Sequence, residues 1–276
     1  MNAMLWLSAG LFALGQAASD NETELKGILY PFYGREAAGY EFFLDEKREQ
    51  RLVLQQKPVL TWTNAEKYMG AVFIWTYGGR PEVIGCIGSH QNKPDESNVF
   101  HEFHSLSLKP LPPVKFGGGI REWTPSRPGL ELKPVDGAPH PGDSERVRLT
   151  QMRNIAREFS GAMKDNSDVT ELRLLTQPIV RYKSPERGVR DGAIFALVWK
   201  GTDPEILLVL EDRNGEADEA WQYALARFNF REMWAKRNDR EVWRVGVARE
   251  NDIYLTGMVG PVSLGDIRAS KPPPGE

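Results

Sequence analysis

The chain has 276 residues, 41% of them hydrophobic, which is enough for one large domain or two small ones with cores of their own, without metal or disulfide support. Its 35 basic and 38 acidic residues are mixed along the chain and leave a formal charge of −3, so there is no electrostatic footprint for nucleic acid. A single cysteine, Cys86, excludes an intrachain disulfide, and none follows the N-terminal apolar stretch closely enough to carry a lipid.

Residues 1–19 carry no charged side chain, and an apolar stretch over residues 5–14 runs into the small-residue segment Gly15-Gln16-Ala17-Ala18-Ser19. This is the pattern of a signal peptide over residues 1–18, cut after Ala17 or Ala18, although the segment before it has no Lys or Arg. An uncleaved anchor needs about 20 predominantly apolar residues. Ser8, Gln16 and Ser19 make this stretch too short and too polar for that, and no other segment is long enough. Export is therefore the expectation, and Asn21-Glu22-Thr23 is a formal glycosylation sequon that matters only in a eukaryotic source.

A helix is expected within residues 22–39, with Leu25, Ile28, Leu29 and Phe32 as its apolar side and Pro31 as a breaker inside it. Strands are expected at residues 59–63, 71–77, 83–87, 100–108 and around 120–123. Residues 110–142, crowded with proline and glycine, form a surface connector. A second helix follows, with Leu149, Met152, Ile155, Ala156, Phe159 and Met163 on one face. The later strands fall at residues 179–182, 193–199, 206–211, 221–230 and 241–247, ahead of an extended, mobile tail from residue 268 to 276.

These two series are related. Sliding the sequence by 120 to 123 residues brings Pro58-Val59-Leu60-Thr61-Trp62 onto Pro178-Ile179-Val180-Arg181-Tyr182, and Gly70-Ala71-Val72-Phe73 onto Gly192-Ala193-Ile194-Phe195. The same offset brings Pro81-Glu82-Val83-Ile84 onto Pro204-Glu205-Ile206-Leu207. Each central strand ends in a glycine (Gly79, Gly201) and the next begins with a proline (Pro81, Pro204), a hairpin signature. The expected fold class is α+β, as two tandem repeats, each one helix followed by about five antiparallel strands. Repeat 1 spans residues 20–125, the connector 110–147 overlaps its end, and repeat 2 spans 148–250.

The residues at Gly70-Ala71-Val72-Phe73-Ile74-Trp75-Thr76, Arg80-Pro81-Glu82-Val83-Ile84, His101-Glu102-Phe103-His104-Ser105-Leu106 and Gly201-Thr202-Asp203-Pro204-Glu205 resemble those of a family of exported planctomycete proteins. The resemblance covers essentially the whole chain after residue 18. It implies export and a two-part layout, and it transfers no activity and no catalytic residue.

Candidate chemistry comes from an asymmetry between the repeats. Alternation along residues 100–108 puts Phe100, Glu102, His104, Leu106 and Leu108 on one face, where the second copy has Ala224 and Ala226. Glu102 and His104 are the candidate acid and base, or with His90 a candidate metal set, against the plainer reading of two polar groups satisfying each other. His101 points to the opposite face of the strand, and His-Glu-Phe-His lacks the spacing of the helical zinc motif. Cys86, in an apolar run, is expected as a small buried hydrophobe, and Glu82 and Glu205 as equivalent turn residues. Trp62, Trp75, Trp123, Trp199, Trp221, Trp234 and Trp243 serve as core or cleft lining, or stack on sugars. No nucleophile elbow, phosphate loop or paired Cys-x-x-Cys occurs, and no cofactor is required by the sequence. The leading reading is thus a non-enzymatic exported module binding a small apolar ligand, a glycan or an envelope protein. A hydrolase or lyase using Glu102 and His104, with or without a divalent metal, and a structural envelope component are the alternatives.

Overall fold

The computed structural model describes residues 6–114, 122–213, 221–248 and 252–270, with side chains from residue 22 onward. Helix α1 (Trp6–Ala38) buries Leu25, Leu29, Tyr33 and Ala37, a stripe at four-residue spacing. It runs through Pro31, which lies on its exposed side, so the break that proline favours does not occur. Five strands follow: β1 (Val53–Leu54), β2 (Leu60–Thr63), β3 (Tyr68–Tyr77), β4 (Arg80–Lys93) and β5 (Glu96–Ser105). The β3–β4 turn, Gly78-Gly79, has φ of 55° and 84°, a backbone that glycine adopts without steric cost.

After β6 (Lys133–Pro134), helix α2 (Glu145–Ala156) is capped by Ser144, whose hydroxyl accepts from Val147 N–H. Then come β7 (Phe159–Asp165), β8 (Asp168–Leu174), β9 (Val180–Ser184), β10 (Val189–Trp199), β11 (Asp203–Arg213), β12 (Trp221–Arg227), β13 (Glu232–Arg237), β14 (Arg240–Val245), β15 (Tyr254–Ser263) and α3 (Leu264–Ala269). The fold is α+β, with three helices and two antiparallel sheets of six and nine strands among the described residues. The smaller sheet runs β1-β3-β4-β5-β15 with β2 also on β3, and the larger runs β14-β13-β7-β8-β10-β11-β12-β6 with β9 also on β10.

Alternation along the central strands sends side chains into three apolar layers. From β3, Phe73 and Trp75 meet α1, while Val72 and Ile74 meet the larger sheet. From β10, Ile194 and Ala196 meet the smaller sheet, while Phe195 and Leu197 meet α2 and strands β7 and β13. Both faces of these strands are buried, which is why they read as unbroken apolar runs.

The two halves share local geometry. Val59 N–H donates to Val72 O as Ile179 N–H does to Ile194 O, each at 2.8 Å. Leu106 N–H donates to Glu82 O at 2.8 Å and Phe228 N–H to Glu205 O at 2.7 Å. A Cβ on Gly70 would fall 2.8 Å from the Trp62 ring, and one on Gly192 2.6 Å from the Tyr182 ring, so each glycine admits an aromatic ring from the neighbouring strand.

Several boundaries differ from those expected. Phe159 and Met163 belong to β7, because α2 ends at Ala156 and the chain then doubles back as a β7–β8 hairpin. Residues 110–147 are not simply a surface connector: Leu111, Val114, Trp123, Leu130 and Val135 are buried in the apolar layers. The strand expected around 120–123 lies partly outside the described residues, and Trp123 forms an isolated bridge with Val114. Strand β15 carries the chain back from the larger sheet to pair with β5, and α3 occupies the start of the expected tail, the rest of which lies outside the described residues. No helix among the described residues is long and apolar enough to cross a membrane.

Candidate functional site

Strand β5 places Glu102 and His104 on the face turned toward the larger sheet, but no hydrogen bond joins them. Glu102 is directly opposite Cys86 on β4 and Thr256 on β15, and it accepts a hydrogen bond from the Tyr254 hydroxyl. His104 Nδ1–H donates to the Ser105 carbonyl at 2.6 Å. The two side chains open onto different cavities. His104 lines one of about 430 Å³ with Arg127, Tyr223, Arg227 and Trp243, whereas Glu102 lines a cleft of about 460 Å³ at the other side of the inter-sheet layer. Burial holds the His104 imidazole down to about 4, so it is neutral near pH 7.

The metal set is not assembled either. His90 stacks on Tyr68 with ring centroids 4.2 Å apart and pairs with Asn98, four positions along β5 from Glu102. Among the described residues no group of three or more His, Cys, Asp or Glu side chains is arranged to hold a metal ion. His101 faces α1, where its Nδ1 is 2.6 Å from the Tyr40 hydroxyl and its Nε2 3.5 Å from Glu36. Cys86 is buried, and burial pushes its thiol well above its ordinary range.

What the fold gathers around Glu102 is a set of acids from the larger sheet. Asp203 and Glu205, at the start of β11, line the same cleft. Its walls are aromatic: Trp62 and Phe100 from the smaller sheet, Trp199 and Phe228 from the larger. Burial pushes Glu102 up to about 8, with Tyr254 opposing and Asp203 adding to the rise. Asp203 is likewise raised to about 8 by burial, against the pull of Arg231. Glu205 is driven well above the carboxylate range by burial, then by Asp203 and Glu102, with the Asn229 amide and Arg231 opposing.

Glu205 differs from the other four fully buried acids among the described residues. Among the described residues five acidic side chains are fully buried, namely Glu82, Asp191, Glu205, Glu211 and Asp212. Arg80 and Arg187 reach Glu82 at 3.1 and 3.2 Å, and Arg80 and Arg213 reach Glu211 at 2.8 and 2.6 Å. Arg148 and Arg181 reach Asp191 at 2.9 and 2.7 Å, and Arg190 reaches Asp212 at 2.6 Å. Glu205 is 1% exposed, has no arginine or lysine partner, and neither of its carboxyl oxygens has a hydrogen-bond partner of good geometry. Glu82 and Glu205, expected as equivalent turn residues, therefore differ in their side-chain partners. They share a backbone position but not an electrostatic one.

The sequence did carry the signal for this difference. At the aligned hairpins, Arg80-Pro81-Glu82 stands against Asp203-Pro204-Glu205, so the residue that pairs with the glutamate in the first hairpin is replaced by a second acid in the other. Tyr254 had no such signal, because it reaches Glu102 only through the return of β15 to the smaller sheet. The tryptophans divide as well: Trp75, Trp123 and Trp221 are core, Trp62 and Trp199 line the cleft, Trp243 lines the other cavity, and Trp234 carries Arg244 over its ring at 4.6 Å. No protein-family model, no curated protein and no solved structure matches the chain.

Proposed function

We propose that this chain is an exported, non-enzymatic binding module of two related units that holds a small ligand in the cleft between its sheets. The observation that carries the reading is Glu205, a buried carboxyl facing an aromatic-walled cleft without an ion pair or a well-formed hydrogen bond. Such a group costs stability in the empty protein and becomes useful when a ligand meets it. The mouth of the cleft supports the same reading. Tyr68, Phe230 and Met258, three of the seven large apolar side chains exposed among the described residues, gather there, whereas a structural envelope component calls for one broad apolar face.

The two-unit part of the proposal is supported by the matching backbone hydrogen bonds and the Gly70–Trp62 and Gly192–Tyr182 contacts. The N-terminal apolar segment and the resemblance to exported planctomycete proteins support export.

The test is thermal unfolding of the chain against a panel of saccharides, amines and aromatic acids, beside Thr256→Trp, which fills the cleft from β15. A ligand at a hundred times its dissociation constant adds about 2.7 kcal/mol. A shift present in the natural chain and absent in Thr256→Trp supports the cleft. A panel without effect, or shifts that Thr256→Trp leaves intact, removes it.

A second reading, acid–base hydrolysis, is favoured by Glu102, whose carboxyl near 8 and contact with Tyr254 suit a proton donor at neutral pH. It replaces the Glu102–His104 pair with Glu102, Asp203 and Glu205. A glycoside or ester turnover lost in Glu102→Gln would establish it, and binding without turnover would not.

A further inference from the structure

We infer that the ligand of the cleft is an organic cation, with an ammonium or similar group seated against Glu102, Asp203 and Glu205 and its carbon body against the aromatic walls. This rests on the cleft being a binding site and assigns the class of ligand it takes.

The argument is one of charge balance. Five carboxyls line the cleft, those of Glu66, Glu102, Asp165, Asp203 and Glu205, against two side-chain cations, Lys200 and Arg231. Both cations are already engaged: Lys200 pairs with Glu66, and Arg231 with Asp165 at 3.2 Å. Arg227 lies close enough to act on Glu102, but it donates to the carbonyls of Asn229 and Arg231 and lies over the Tyr254 ring. Three acids are left without an ion pair of their own; burial keeps them protonated in the ligand-free cleft, and a cation seated beside them favours their charged form. They come from both sheets, Glu102 from β5 and Asp203 and Glu205 from β11, so a charge placed between the sheets meets all three at once.

The shape of the charge follows from the same residues. Among the described residues these acids form no group able to hold a metal ion, which favours a polyatomic cation that donates a hydrogen bond to each of them. The walls favour the same class. At the mouth the Trp199 ring already holds Lys200 Nζ at 4.1 Å and the Arg231 guanidinium at 5.5 Å, so cations meet aromatic faces here even without a ligand. Trp62, Phe100 and Phe228, deeper in, offer the same kind of surface to a ligand.

The experiment uses the full chain and two probes, phenethylamine and cadaverine, each beside its neutral counterpart, phenylethanol and pentanediol, with dissociation constants from calorimetry at neutral pH. The expected result is that at least one amine binds and its alcohol binds roughly tenfold more weakly or not at all. Glu205→Gln and Asp203→Asn should each weaken the amine by roughly tenfold and leave any alcohol binding unchanged. Equal binding of amine and alcohol would overturn the cation and leave the cleft standing as a neutral-ligand site. Amine binding undiminished in both variants would overturn the placement. No binding of either amine, with saccharides still shifting unfolding through the cleft, would overturn the cation alone; no binding by any probe would overturn the cleft with it.

Discussion

The two ends of β11 carry buried glutamates in opposite states. At one end Glu211 accepts from Arg80 Nε, the Tyr182 hydroxyl and Arg213, and Arg80 continues to Glu82 and the Leu106 carbonyl. Burial pushes Glu211 up, and these donors more than reverse it, so its carboxyl ends below its ordinary range. At the other end Glu205 has burial and two acidic neighbours working in one direction. The lesson is that burial alone does not tell a structural charge from a functional one. What separates them is whether the protein supplies the counter-charge.

The strongest way to break this comparison is at the closed end. Arg80→Leu leaves Glu82 and Glu211 buried beside too little positive charge and should cost about 3–5 kcal/mol in denaturant unfolding. A cost under about 1 kcal/mol would mean that the network contributes little, as an exposed pair would. Tyr182→Phe removes one hydrogen bond to a charged acceptor and should cost about 1.5–3 kcal/mol by the same measurement.

At the open end the sign reverses. Glu205→Leu removes a buried carboxyl that has no hydrogen-bond partner, and it should raise stability by about 1 kcal/mol while abolishing the ligand response. This sets Glu205 against Glu82, its counterpart at the matched backbone position.

A further effect is in the pH profile. Glu102 and Asp203 keep protons in the folded chain up to about 8, where an unfolded carboxyl loses them near 4, so their contribution falls as pH rises through that window. His101 and His104 work the other way, since burial lowers both to about 4, and stability from them rises between about 4 and 6.5 and is level above. The two trends oppose each other below 6.5. Between about 6.5 and 8 only the decline remains, to which Glu205 adds, and Glu102→Gln with Asp203→Asn should reduce it in unfolding measured across that range.

How much of this was legible in the residues depended on which interactions were local. The hairpins β3–β4 and β10–β11 and the α+β class followed from apolar runs punctuated by glycine and proline. The end of α2 did not, because Phe159 and Met163 continue the helical phase of Met152 and Ile155, and period alone gives no stop. The marks of the β7–β8 hairpin were Gly161, whose Cβ would strike Leu197 at 2.8 Å, and Asn166 with φ of 55°. Strand β15 resembles a loop, with Gly257, Gly260 and Pro261 within ten residues, and these are tolerated because it pairs on one side only. For the site, alternation put Glu102 on the correct face, but its partners come from β11 and β15, a distance along the chain that no local pattern spans.

The most direct measurement is thermal unfolding of Glu205→Gln beside the natural chain, each with and without saturating amine probe. Glu205→Gln should unfold at the same temperature or higher when empty and show about half of the probe-induced rise. A lower unfolding temperature with the rise intact would make Glu205 a structural residue like Glu82 and remove its claim to the ligand.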